Sequence, residues 1–263
     1  MRLTLLGTGN AAQVPVYNCG CPACALARVN KHLRRGPCCA LLECGASRWL
    51  IDAGLTDLAE RFPPGALDGI LLTHYHADHA QGLLHLRWGT GLRIPVLAPA
   101  DPEGLADLHK HPGILDFSTT LDALQPVQLG DLRVTPLPLR HSRPTFGYLL
   151  EYGARRMAYL TDTVGLSPDT QAALHGTTIN VLVLDCTHPP AEEQPRNHND
   201  LTRALDIVRT LRPRRTVLTH IGHAFDAWLM RHHASGAAIP ALPPGVTVGL
   251  DGDSIALHPD TAC

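Results

Sequence analysis

The sequence predicts a layered α/β protein, with two β-sheets packed face to face and helices on their outer surfaces. Short apolar runs of strand length recur along the chain, and segments of helical periodicity interrupt them. At 263 residues the chain suits one large domain, residues 1–263, and can bury most of its apolar surface without staples. Elements that each present one apolar face close most simply as stacked layers.

Taken from the N-terminus, "LTLL" (3–6), "WLID" (49–52) and "GILLT" (69–73) are the first strands. "DHAQGLLHL" (78–86) then reads as a short helix, and "IPVLA" (94–98) returns to strand. "LRVTPLPL" (132–139) is strand-like, but Pro136 and Pro138 remove amide donors, which places it at an edge or makes it irregular. "FGYLLEY" (146–152), "RMAYLTD" (156–162) and "INVLVLD" (179–185) continue the strand series. Helical periodicity is best in "DLTRALDIVRTL" (200–211), where Leu201, Leu205, Val208 and Leu211 share a face and Asn199 is the expected N-cap. The strand "RTVLTH" (215–220), the helix "FDAWLMRHH" (225–233) and the strand "VTVGLD" (246–251) complete the series.

Hydrophobic content of 44% and charged content of 17% are ordinary for a soluble globular protein. A formal net charge of −2 gives no basic footprint, so no nucleic-acid partner is expected. No run approaches the ~18 apolar residues of a spanning helix, so no membrane partner is expected either. The N-terminal "MRLTLLGTGN" lacks the apolar region of a signal peptide, which points to a cytoplasmic protein. In that reducing compartment eight cysteines indicate metal or buried thiols rather than disulfides, and sixteen histidines add metal-ligand and proton-transfer capacity.

The decisive segment is "LLTHYHADHAQG" (71–82). After a buried strand, His74 and His76 point to one side of extended backbone, because side chains alternate with period two. Asp78 and His79 open a helix that turns them back toward the same space. Nitrogen and oxygen donors in this spacing can serve two adjacent metal positions.

This HxHxDH pattern resembles the metallo-β-lactamase superfamily, and the likeness runs from "LGTGNAA" to "HIGH". The resemblance implies a four-layer αββα sandwich and hydrolysis of esters, amides or phosphodiesters with one or two metals. Carried over by position, it implies a first metal on His74, His76 and His141. A second would sit on Asp78, His79 and His220, with Asp162 bridging the pair and Asp78 counted also among the catalytic residues. Two cations ~3.5–4 Å apart repel, and a shared carboxylate offsets that repulsion. Imidazole and carboxylate donors suit several transition metals alike, so this chemistry does not name the metal.

Cys19, Cys21 and Cys24 form a CxCxxC set that needs a fourth ligand. With His220 assigned to the catalytic pair, His223 in "HIGHAFDAWL" is spare, and a Cys3His site closed to water would be a structural zinc clip. Cys38, Cys39, Cys44, Cys186 and Cys263 lack a ligand pattern and read as buried or terminal thiols; the final "HPDTAC" carries no assignment.

The clip together with "FGYLLE", "DCTHPP", "RNHNDL" and "LTHIGHAFDAWL" is similar to the phosphoribosyl 1,2-cyclic phosphate phosphodiesterases (PhnP) of the carbon–phosphorus lyase pathway. That family opens 5-phosphoribosyl 1,2-cyclic phosphate to ribose 1,5-bisphosphate. The resemblance implies a small phosphorylated sugar as substrate and a homodimer. It also implies two divalent catalytic metals, manganese or zinc, besides the structural zinc. His198, in a loop before the 200–211 helix, matches a family histidine and is the expected general acid for the sugar leaving group. Arg143 and Arg196 are candidate phosphate contacts, and Asp185 and His188 candidate orienting groups. The rival readings are a phosphodiesterase acting on cyclic nucleotides or an RNA 3′ end, and a non-catalytic carrier of quinone-cofactor biosynthesis. The complete ligand set disfavours the carrier.

Overall fold

The computed structural model describes residues 1–193, 196–234 and 242–257. Cys263 and the rest of "HPDTAC" lie outside the described residues. The first sheet contains β1 (Arg2–Gly7), β2 (Cys39–Cys44), β3 (Ser47–Ile51), β4 (Gly69–Leu71), β5 (Ile94–Pro99), β6 (Leu115–Asp116) and β7 (Thr120–Leu121). The second contains β8 (Val127–Leu129), β9 (Leu132–Pro138), β10 (Phe146–Tyr152), β11 (Arg155–Leu160), β12 (Val181–Asp185), β13 (Arg215–Thr219) and β14 (Val246–Val248). β15 (Ser254–Ala256) returns to the first sheet, beside β1.

Strand order is β15-β1-β2-β3-β4-β5-β6 in the first sheet, with β7 also on β5, and β14-β13-β12-β11-β10-β9-β8 in the second. Each sheet is antiparallel over one part and parallel over the other: β3, β4 and β5 run together in the first, and β11 to β14 in the second. Helices α1 (Pro22–Val29), α2 (Leu58–Arg61), α3 (Ala77–Ala80), α4 (Leu83–Leu86), α5 (Ala106–Lys110), α6 (Pro168–Leu174), α7 (Leu201–Leu211) and α8 (His223–Ala234) lie in the connections.

Period-two alternation builds the layers. Val181 and Val183 of β12 face the core between the sheets, with Leu3, Leu71, Tyr148 and Tyr159. Leu182 and Leu184 face outward against Leu201, Ala204 and Ile207 of α7. On the first sheet Leu71 points to the same inter-sheet core, while Ile70 and Leu72 pack outward with Leu58 and Leu83. Four layers, helix, sheet, sheet and helix, follow. Each Leu or Val so buried is worth roughly 1.5–3 kcal/mol.

The proline-bearing strand is internal only in part. β9 pairs with β8 across Leu132 to Val134, and beyond that point β10 alone holds it in register, so Pro136 and Pro138 face no strand on their other side. The 78–86 helix is two short turns, α3 and α4. Asp200, not Asn199, caps α7: its carboxylate accepts from Arg203 N at 2.8 Å, while Asn199 turns inward.

Candidate metal centre

The parallel strands deliver their next residues to one end of the sandwich, where α/β proteins place their sites. Asp52 follows β3, Thr73 and His74 follow β4, Asp162 follows β11, and His220 follows β13. Asp185 closes β12. Asp52, Asp162 and His220 have φ of 62°, 58° and 58°. That left-handed conformation costs non-glycine residues about 1–2 kcal/mol each, and here it marks the strand ends that carry the site. Gly54 permits the next step: a Cβ there would lie 1.9 Å from the Asp78 carbonyl oxygen. The loop after β3 therefore lies directly on α3, and Ala53 N donates to His79 O at 2.7 Å.

His74, His76 and His141 converge through nitrogens. Nε2 of His74 lies 2.9 Å and Nε2 of His141 3.1 Å from Nδ1 of His76. Thr73 Oγ1 donates to Asp52, so its lone pair accepts from His74 Nδ1 at 3.0 Å. His141 Nδ1 donates to the Asn197 carbonyl at 3.1 Å. Both Nε2 atoms are then lone pairs aimed at one nitrogen, which carries at most one proton.

Asp78, His79 and His220 form a second group, with candidate ligand atoms within 4.8 Å of one another. His79 Nδ1 donates to Asp52 Oδ2 at 2.7 Å, and His220 Nδ1 pairs with Thr187 Oγ1 at 2.9 Å. Their Nε2 atoms are buried without a hydrogen-bond partner. Asp162 stands between the groups. Its Oδ2 is 3.0 Å from His79 Nε2, and its Oδ1 is 3.4 Å from His220 Nε2 and 3.7 Å from His141 Nε2.

The electrostatics call for positive charge at this place. Burial opposes ionisation of Asp162, but His220 and His79 outweigh it and hold its carboxyl well below the usual range. Burial likewise opposes charge on His79, yet Asp162 and Asp52 raise it well above an ordinary imidazole. His74 is pushed well below by burial and then by its histidine neighbours, which together outweigh the pull of Asp162. Orphaned buried nitrogens, lone pairs crowded on lone pairs, and a carboxylate between them fit two divalent cations.

His198 stands at the rim, its ring stacked on His220 with centroids 4.7 Å apart. Nδ1 donates to Asp185 Oδ2 at 2.8 Å. Burial favours the neutral ring, but Asp185 and then Asp162 raise its pKa to about 9.

The cysteine cluster is separate. Cys19, Cys21, Cys24 and His223 bring ligand atoms within 4.8 Å of one another, and Cys19 and Cys21 Sγ each lie 3.4 Å from His223 Nδ1. Cys21 caps α1 and Pro22 opens it, a helix that the sequence pattern did not single out. Burial pushes the Cys24 thiol up to about 11.

The structure thus brings together all the side chains singled out for the two clusters. Asp52 was missed as a functional residue, although a carboxylate directly after a buried strand was the available signal. Arg143 is turned to other work: it donates to Tyr75 O and Gly104 O and pairs with Asp101 at 2.9 Å. Asp185 orients His198, whereas the nearest ring contact of His188 is with His198, at 6.3 Å between centroids. Cys38, Cys39, Cys44 and Cys186 are buried and free.

The chain belongs to the metallo-β-lactamase superfamily: the profile of the beta-lactamase superfamily domain matches residues 47–221. Its two-sheet fold and its histidine and aspartate cluster are in keeping with that superfamily. Among particular proteins it is similar to a diphosphatase of the PhnP family, whose crystal structure matches with a TM-score of 0.76 and 26% identity over 97% of each chain. An octanoyltransferase of Porphyromonas gingivalis is 29% identical over 96% of this chain and 51% of its own length, so the chain spans about half of that relative. Coenzyme PQQ synthesis protein B of Methylobacterium radiotolerans is 24% identical over 71% of this chain and 73% of its own. Among the described residues no helix is long and apolar enough to cross a membrane.

Proposed function

We propose that this protein is a binuclear-metal phosphodiesterase that opens 5-phosphoribosyl 1,2-cyclic phosphate to ribose 1,5-bisphosphate. His74, His76 and His141 would hold one cation, and Asp78, His79 and His220 the other, with Asp162 shared. Bound there, the cations would supply Lewis acidity toward the phosphoryl oxygens and activate water near neutral pH.

The observation that carries the reading is His198. Opening a cyclic diester expels a sugar alkoxide, a poor leaving group that needs a proton as its bond breaks. With cations bound, the seven cluster residues would have their donor atoms committed to them. His198 has Nδ1 fixed on Asp185 and no hydrogen bond to Nε2 among the described residues. Asp185 thereby sets the tautomer and holds the ring against His220 at the edge of the cluster. A carrier would have no use for a protonated imidazole oriented by a buried carboxylate. Similarity to a diphosphatase of the PhnP family supports chemistry at phosphorus, and the small-sugar reading goes with a homodimer in solution.

The test is metal analysis of the purified protein together with turnover of the cyclic ribose phosphate and of a 2′,3′-cyclic nucleotide. Preference for the sugar by at least tenfold in kcat/KM is expected. Preference for the nucleotide, or no turnover of either by protein carrying its metals, sinks the assignment.

A further inference from the structure

Among the histidines of the candidate metal centre, His76 is the exception. Its Nδ1 faces His74 and His141, and its Nε2 makes no hydrogen bond among the described residues. His74, His79, His141 and His220 each have a partner on the ring nitrogen turned away from the cluster. An imidazole without such a partner has to be aimed by its backbone.

Both peptides that flank His76 are fixed. Its own carbonyl accepts from His79 N at 3.0 Å and from Ala80 N at 3.1 Å, where α3 begins. The carbonyl before it, Tyr75 O, accepts from Arg143 Nη1 at 3.1 Å. Nη2 of the same guanidinium donates to Gly104 O at 3.2 Å and lies 2.9 Å from Asp101 Oδ2. The buried Asp101 is itself held, its Oδ1 accepting from Glu103 N at 2.9 Å and Gly104 N at 3.2 Å. Arg143 stands two residues after His141, in a connection that Leu139 N closes onto Thr145 O at 3.0 Å. One fork therefore spans three segments: the histidine segment after β4, the loop after β5, and the β9–β10 connection that carries His141. A planar guanidinium with five N–H groups can do this, whereas an ammonium is a point charge on a flexible stem.

We propose that Arg143 is a positioning residue, which locks the peptide before His76 to the connection carrying His141 and so sets the geometry of the three-histidine position. It acts through the Tyr75 carbonyl and not on the reacting atoms. This consequence rests on the binuclear reading above, whereas the clamp itself stands without any ion.

The probe is Co²⁺ titrated into metal-free protein, where sulfur-to-cobalt charge-transfer bands count the cysteine cluster separately from imidazole and carboxylate sites. His220→Ala leaves the three-histidine position intact, and His141→Ala leaves the other. Adding Arg143→Ala should lower Co²⁺ affinity ~10–100-fold in the His220→Ala background and leave it unchanged in the His141→Ala background. Equal losses in both backgrounds, or no loss in the first, would overturn the proposal. So would unchanged Co²⁺ affinity with a raised KM for the cyclic sugar phosphate, the mark of a direct phosphate contact. Removing Arg143 strips the buried Asp101 of its partner and can cost the fold. Arg143→Lys keeps the charge without reaching all three acceptors, so its loss should be smaller and confined to the same background.

Amide exchange in the metal-free Arg143→Lys protein tests the clamp without any cation. Phe146 N bonds Thr73 O at 3.0 Å and joins the same two segments, while Ile221 N bonds Thr8 O at 2.7 Å next to His220. Faster exchange is expected at Phe146 and not at Ile221. If the unaltered protein takes up no Co²⁺ outside the cysteine cluster, the binuclear reading falls, and exchange alone decides the clamp. Exchange unchanged at Phe146, or raised equally at both amides, refutes it.

Discussion

Most of the imidazoles of the candidate metal centre are held from behind, whereas the thiols of the cysteine cluster are held by the His223 ring and by amides of their own loop. His74 leans on Thr73, His79 on Asp52, His220 on Thr187 and His141 on the Asn197 carbonyl, each through the nitrogen that does not face the cluster. Such partners fix tautomer and orientation before any ion arrives. In the cysteine cluster, Cys19 and Cys21 reach the His223 ring, Cys21 also accepts from Cys24 N at 3.5 Å, and Cys24 accepts from Val16 N at 3.3 Å. The first cluster is built by the sheets; the second joins the segment before α1 to the start of α8 and, if it holds an ion, would depend on it. Removing a ligand should therefore cost function in one place and stability in the other.

The largest effect is expected at Asp162, whose two oxygens face different imidazole groups. Asp162→Ala should lose at least one catalytic metal by elemental analysis and nearly all turnover. Near-normal turnover would mean that the centre is misassigned.

His198→Ala should keep its metals and lose ~10²–10⁴-fold in rate toward the sugar cyclic phosphate, the usual worth of general acid catalysis. A p-nitrophenyl diester, whose leaving group needs no proton, should show a much smaller loss, and equal losses on both substrates would exclude the acid role. The titration has a definite sign. Because Asp185 raises the folded-state pKa of His198 to about 9, its charged form stabilises the metal-free protein fully below pH 6.5, and that contribution fades as pH rises through about 9. NMR titration should place the ring near that value without metal and lower once cations are added beside it.

Asp52→Asn is the intermediate case. It leaves the ligand atoms intact but weakens the acceptor of three bonds, from Thr73 N, Thr73 Oγ1 and His79 Nδ1. A loss of ~10–100-fold in metal affinity is expected, the usual cost of disturbing a group behind a ligand. Unchanged affinity in a competition titration would remove Asp52 from the site.

Legibility in the sequence followed the range of the interactions. HxHxDH was readable because its geometry is local, alternation along a strand end followed by a helical turn. The αββα layering was readable because period-two patterns survive in β10 to β13. Asp52 was not readable as an orienting group, since it acts through a contact between loops that Gly54 allows to touch. β2, "CALLEC", was overlooked because its alternation is short and Cys-rich. Arg143 looked like a phosphate contact until Asp101, distant in sequence, proved to hold it. In each case the missing fact was a partner supplied by another element.

Cys21→Ser is expected to have the smallest effect on catalysis and bears most directly on the contrast between the two clusters. Cys21 both offers a ligand sulfur and caps α1, its Sγ accepting from Cys24 N at 3.5 Å. Serine is a preferred N-cap, so the substitution retains the helix start while weakening the metal site. Loss of helix and loss of metal are thereby separated. About one zinc per chain should be released, because structural zinc contributes folding energy directly and a site short of one thiolate binds it poorly. The melting temperature should fall, and turnover by the molecules still folded should stay within a few-fold of normal. His223 stands three residues after His220, but Thr187 and the Ile221–Thr8 backbone bond hold that ligand independently of the clip. If the zinc count is unchanged, the cysteines bind no metal; if turnover collapses while the fold persists, the clip positions His220 and the two clusters are one device.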